Sequence, residues 1–256
     1  MTRRPALAGL ALAMAAIAPA HATDLSIAIK PEFTTGTYGT TTRTRVWETP
    51  LEIKLHEPGY GFGLRLPYVH ETGNQIVVPG LGPIGDPRPN SFHRQGLGNL
   101  RLSAWATVWK DPDSGATLGV AAKLSPPAIR HLQPMGVNFT RVGLELEASI
   151  PLPHEISLDL TLGRRFIIGA PGLGLNDFWY GTVDVGHDLN DRWSFGLTID
   201  TQSSSGAGGT AILEIGPWLQ YRIAAGWTLG AYLYRGFTRD SANWGGGFTL
   251  THRFGI

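Results

Sequence analysis

The chain of 256 residues has no cysteine, so no disulfide can hold it together and no thiol chemistry is open to it. It has no surplus of charge either. Its 21 Lys and Arg against 20 Asp and Glu leave a net charge of +1, which offers nucleic acid no basic face. Metal-ligand spacing is missing, since no His-x-x-His or Glu-x-x-His pair occurs, and no metal or other cofactor is expected. No stretch reaches the roughly 20 apolar residues that a spanning helix needs. The fold must therefore rest on packing or on backbone pairing. What the chain does have is 34 Gly and 8 Trp, unusual in a soluble domain of this size but suited to the wall of a barrel.

The longest apolar run, Ala6 to Ala18, stands behind Arg3 and Arg4 and is followed by Ala20-His21-Ala22. A basic start, a short apolar stretch and a small-x-small site are the parts of a secretory signal peptide. Residues 1–22 are expected to be a removed leader and residues 23–256 the mature domain, outside the cytoplasm.

Within that domain the dominant pattern is alternation. Val142, Leu144, Leu146, Ala148 and Ile150 interleave with Arg141, Gly143, Glu145, Glu147 and Ser149. Successive side chains of a strand point to opposite faces, so one face is apolar and the other wet. Ile156, Leu158, Leu160 and Leu162 repeat the pattern against Ser157, Asp159, Thr161 and Gly163. Twelve segments of strand character can be placed near 24–37, 42–55, 59–71, 96–110, 114–124, 138–150, 154–168, 177–188, 192–201, 210–222, 226–238 and 243–256. Each is about as long as a tilted spanning strand.

A soluble sandwich alternates too, so the connections decide. Tight turns at 57–58, 111–113, 151–153, 189–191 and 223–226 alternate with longer loops at 73–95, 125–136, 170–176 and 202–209. The first and last outer loops, near Gly39 and Asp240, are short. Short inner turns and long outer loops mark transmembrane barrels. Tyr60, Trp109, Trp193, Tyr221, Trp227 and Phe254 fall near one set of strand ends, and Tyr68, Phe139, Phe166, Trp179, Phe237 and Trp244 near the other, as two interfacial belts would. The last strand carries Phe248, Leu250, Phe254 and Ile256 at every second position, with His252 as the exception. It resembles the assembly signal of bacterial outer-membrane proteins, so outer-membrane lipid and the barrel assembly machinery are expected partners. The fold class expected is all-β, a transmembrane antiparallel barrel of about 12 strands in the bacterial cell outer membrane.

Four pieces, Leu64 to Val69, Gln95 to Ser103, Leu189 to Ser194 and Tyr234 to Gly245, are similar in order and spacing to the phenol-degradation meta-pathway (MetA-pathway) outer-membrane protein family. The resemblance implies a barrel that transports small, often aromatic, organic compounds. Asn99 stands where that family usually shows Asp, and Asn243 where Asp is common before the Trp. Lys123-Leu124-Ser125-Pro126-Pro127 replaces its Pro-Thr-Gly type segment at the start of an outer loop.

By parity, the candidate lumen-lining residues are Arg65, Arg101, Arg141, Glu145, Glu147, Asp159, Arg165, Asp184, Asp200, Glu214, Arg222 and Arg253. Trp105, Trp109 and Trp218 share that parity. Glu145, Glu147 and Asp159 are expected to draw Arg141 and Arg165 close, offsetting like-charge repulsion. The balanced charges read either as a salt-bridge ladder that partly plugs the wall or as a polar constriction that selects solutes. Eight strands leave a filled interior and sixteen or more a channel, so twelve leave a narrow or gated path. Gly73 to Gln95 is the natural lid or plug, and its Ile76-Val77-Val78 could meet a hydrophobic solute. The function expected is passive passage of small organic solutes, hydrophobic or aromatic. Two other classes stand beside it, a structural or adhesion barrel without transport and an outer-membrane lipid-modifying enzyme. No His-x-Ser pair or Gly-x-Ser-x-Gly elbow supports the enzyme.

Overall fold

A computed structural model describes residues 24–206 and 208–255; the expected leader lies outside them. The strands are β1 (Asp24–Ile29), β2 (Glu32–Gly36), β3 (Thr44–Glu57), β4 (Tyr60–Gly73), β5 (Ile76–Val78), β6 (Gly82–Ile84), β7 (Phe92–Leu97), β8 (Arg101–Lys110), β9 (Thr117–Ser125), β10 (Thr140–Leu152), β11 (Ile156–Ile168), β12 (Phe178–Asp188), β13 (Trp193–Gln202), β14 (Ile212–Ala224), β15 (Trp227–Gly236) and β16 (Trp244–Gly255). No helix occurs among the described residues.

Neighbouring strands pair antiparallel throughout, and the sheet closes because β16 pairs with both β1 and β2. β1 and β2 form one barrel strand interrupted at Lys30-Pro31, where Pro31 has no N–H to give, and the chain resumes on the same partners. β7 and β8 likewise form one strand broken at 98–100, both pairing with β4. The barrel therefore has twelve strands, one in each expected segment. β5 and β6 pair only with each other and form a small hairpin.

The register fixes which face each residue takes. Leu144, Leu146 and Leu162 are each 53% exposed and Leu233 66%, so the large apolar side chains point away from the barrel while their polar neighbours point in. Two expected positions fail. Trp109 was placed inward by parity, but a bulge between Thr107 and Trp109 slips the register and seats it opposite Leu118 on the outward face. Phe139 was placed in an outer belt. It is 3% exposed and packs with Val78, Leu81 and Phe178, because the segment before β10 turns inward to meet the hairpin.

That hairpin lies in the mouth of the barrel at the end with the long loops. The carbonyl oxygen of Leu81 accepts from Gln202 Nε2 and Ser205 Oγ at 3.0 Å each, and the carbonyl oxygen of Gly80 accepts from Arg165 Nη1 at 3.0 Å. Glu71 anchors its base, accepting from the Val77 N–H at 2.6 Å while Arg94 Nε donates to its other oxygen at 2.6 Å. Val77 and Val78 are buried in apolar clusters, so they face protein rather than open space. The loop 74–91 is thus folded in as a plug rather than laid over as a lid.

Candidate functional site: the barrel interior

The interior carries its cations along one wall, with Glu48, Glu52, Glu145 and Glu147 among them, and mainly carboxylates along the other. Arg65 on β4, Arg101 on β8, Lys123 on β9, Arg141 on β10 and Arg165 on β11 share one side. Glu32 on β2, Asp184 on β12, Asp200 on β13 and Glu214 on β14 share the other, with Asp159 of β11 opposite Asp184. Between them lies a cavity of about 320 Å³ bordered by Arg65, Arg101 and Arg165 on one flank and Glu32, Asp200 and Glu214 on the other. Phe178, Tyr180 and Leu81 complete it.

Partners on the acidic side are hydroxyls, one indole N–H and backbone. Tyr232 and Tyr234 donate to the two oxygens of Glu32 at 2.6 and 2.9 Å. Thr182 donates to Asp200 at 2.6 Å, the Ala242 N–H to Glu214 at 3.1 Å, and Trp218 Nε1 to Asp184 at 2.9 Å. Tyr38, in the loop 37–43, closes the cavity from above. Burial pushes its phenol well above the usual range, so it stays a donor, to Thr34 at 3.3 Å.

On the basic side the pairing differs from the expected ladder. Arg65 Nη2 meets Glu48 at 3.0 Å and its Nε lies 3.6 Å from Glu52. Glu145 pairs with Lys123 at 2.6 Å and accepts from the Tyr180 hydroxyl. Arg141 and Arg165 do not approach Glu145, Glu147 or Asp159 within ion-pair distance; Lys123, one strand over, takes that role. Glu147 lines a cavity of about 390 Å³ with Lys54, Arg65, Arg101 and Trp105. Asp159 and Asp184 line another, of about 560 Å³, with Trp218 and Tyr232. Arg222 and Arg253 sit exposed at the tight-turn end, outside these cavities.

The cavities share walls. One of about 500 Å³ at the long-loop end has Tyr38, Gln202, Ile212 and Asp240 in common with the central one. The central cavity in turn shares Glu32, Asp200 and Glu214 with one lower cavity and Arg65 and Arg101 with the other. A series of spaces thus runs from the mouth, past the hairpin, toward the tight turns.

Sequence reasoning did not single out Glu32, Glu48, Phe178, Tyr180, Tyr232 or Tyr234 as interior residues. A usable signal was present: Tyr180 shares parity with Thr182 and Asp184, and Tyr232 and Tyr234 stand opposite Gly247 and Gly245, glycines that leave room for an inward ring. A second contact, Ser26 Oγ to His56 Nε2 at 3.3 Å, joins residues far apart in sequence. No carboxylate hydrogen-bonds the other ring nitrogen of His56 among the described residues, so the third member of a hydrolytic triad is missing.

Solved structures similar in fold include outer-membrane channels, porins and the translocator and beta domains of autotransporters. An outer membrane channel from Pseudomonas putida F1 is 13% identical, with a TM-score of 0.70 over 93% of this chain and 97% of that one. The NanC porin is 11% identical, with a TM-score of 0.58 over 90% and 100%, and the KdgM porin 9% identical, with a TM-score of 0.55 over 90% and 99%. No curated protein matches the sequence. A family model does, over residues 34–254, nearly the whole barrel. The chain belongs to the family described as "Putative MetA-pathway of phenol degradation".

Proposed function

We propose that this protein is an outer-membrane channel giving passive passage to small organic solutes, aromatic ones among them. The observation that carries the reading is the inside-out barrel: a closed wall with apolar side chains outward and a polar interior whose successive cavities share lining residues. In water, an outward face with leucines more than half exposed would aggregate, whereas in hydrocarbon it is the stable arrangement. Backbone pairing without a free edge is also what a membrane interior demands of strands. The leader expected at 1–22 supplies export, and membership of a phenol-degradation family supports aromatic cargo.

The test is uptake of phenol and of a similar-sized sugar into liposomes carrying the refolded chain from Thr23 onward, against empty liposomes and an unrelated barrel. Protein-dependent entry of the aromatic alone supports an organic-solute channel, and entry of both a general pore. Entry of neither would leave a closed structural barrel, which the hydrogen-bonded hairpin in the mouth favours as the second reading.

A further inference from the structure

Arg141 is 6% exposed, and its Nε and Nη1 have no hydrogen-bond partner. Arg101 and Arg165 stand beside it on the same wall. None of the three lies within ion-pair distance of a carboxylate among the described residues. Arg101 and Arg165 converge on the hairpin tip, where a Cβ added to Gly80 would lie 3.6 Å from Arg101 Nη2 and 3.7 Å from Arg165 Nη1. Buried guanidinium groups left unpaired are costly, and a counter-anion relieves that cost.

We propose that this arginine cluster binds the carboxylate of a small aromatic acid on its way through the barrel. The inference rests on the passage reading and names the solute class for it. Three features select that class. The guanidinium fork matches a carboxylate with two parallel hydrogen bonds, which a neutral phenol cannot form. The space at Arg141 is only about 30 Å³, room for little more than a water or a simple ion, but it shares Arg101, Pro79 and the paired Arg65 and Glu48 with the 320 Å³ cavity. That cavity is of small-molecule size and carries the partly exposed Tyr180, Tyr234 and Ile212 on its wall, surfaces for a ring.

The opposite wall fixes the orientation. Glu32, Asp200 and Glu214 repel a carboxylate from their side, so the acid group turns toward the arginines and the ring lies between. Arg65 cannot substitute for the cluster, because Glu48 already holds it. The aromatic neighbours keep Arg165 in place: its guanidinium carbon lies 4.8 Å from the Tyr180 ring centre and 5.8 Å from that of Phe178.

The experiment compares benzoate with benzamide, its neutral counterpart of equal size, on the refolded protein. Binding is read by calorimetry and passage by uptake into proteoliposomes, with phenol as a control solute. Benzoate should bind about ten-fold more tightly than benzamide, the value of one charge-assisted hydrogen bond. Arg101→Gln with Arg141→Gln should abolish that difference, and Arg101→Lys with Arg141→Lys should restore part of it. Heat-modifiable migration on a gel reports whether each variant is folded. Equal binding of benzoate and benzamide to the wild-type protein would overturn the proposal, while phenol uptake would still uphold the channel. Competition by chloride at equal concentration would also overturn it, by marking a site for any anion. Benzoate binding without uptake of any solute would uphold the site and overturn the channel.

Discussion

Arg165 Nη1 reaches across the mouth of the barrel to the carbonyl oxygen of Gly80 at 3.0 Å, so a strand of the wall holds the tip of the inserted hairpin. The neighbouring Leu81 is fully buried against Phe139 and Phe178. The plug is thus held by a charged hydrogen bond and a seated apolar side chain, and either can be weakened alone.

Because the chain has no cysteine, Leu81→Cys creates a single thiol whose labelling reports release of the hairpin. A water-soluble thiol reagent should modify it far more slowly than Leu173→Cys, which sits in the loop 169–177 at 40% exposure. Adding Arg165→Gln should speed labelling at position 81 by about ten-fold, the equivalent of losing a hydrogen bond to a charged group. Equal rates at 81 and 173 would mean that the hairpin is not docked.

The two asparagines that stand where the family usually shows Asp are not alike. Asn99 is buried, and its Nδ2 donates to the carbonyl oxygens of Pro126 and Val137 at 2.9 Å each, while its Oδ1 accepts from the Val137 N–H at 2.7 Å. An aspartate would set a second acceptor against two carbonyl oxygens. Asn243 only accepts, from the Thr37 N–H at 2.9 Å, which an aspartate does equally well. Asn99→Asp should therefore cost about 1–3 kcal/mol through two unsatisfied carbonyls, and Asn243→Asp less than about 0.5 kcal/mol, as for most exposed positions. Urea titration of the refolded barrel separates them.

Glycines opposite inward rings make a third prediction. A Cβ at Gly196 would overlap both the Val185 carbonyl oxygen and the Trp218 ring, which covers it and donates to Asp184. Gly196→Ala should lower stability by about 1–3 kcal/mol, as overpacking does. Gly59→Ala, at a tight turn with nothing within 4 Å of its Cβ but a φ of +86°, tests the separate cost of the left-handed backbone. If Gly196→Ala melted at the wild-type temperature, the Trp218 seat would be looser than described.

The strand count was legible because a period of two is a local property, and the same period sets the face of the charges nearest the middle of each strand. Arg65, Arg101, Arg165, Asp200 and Glu214 all reach the central cavity for that reason. Trp109 was misread because a bulge shifts parity without leaving a mark in composition. Phe139 was misread because proximity to a strand end says nothing about which way a loop folds. The partner of Glu145 was invisible for a third reason. Pairing across strands depends on stagger, and the register that sets Glu145 beside β9 brings Lys123 within reach and leaves Arg141 without a partner.

That pairing also determines what removing the acids does. Glu145 holds Lys123 at 2.6 Å, and Glu147 faces the cavity that Lys54 and Arg65 share. Glu145→Gln with Glu147→Gln removes two negative charges and frees Lys123, so the basic wall gains field with no change in shape. In a planar bilayer with a salt gradient, the reversal potential should move toward that of chloride. The on-rate for anions should rise by a factor on the order of ten at low salt and much less at high salt, as expected for focused fields in a narrow cleft. Opposite movement would mean that the freed Lys123 is screened. Unchanged current and selectivity in a conducting barrel would show that solutes do not pass along the basic wall at all.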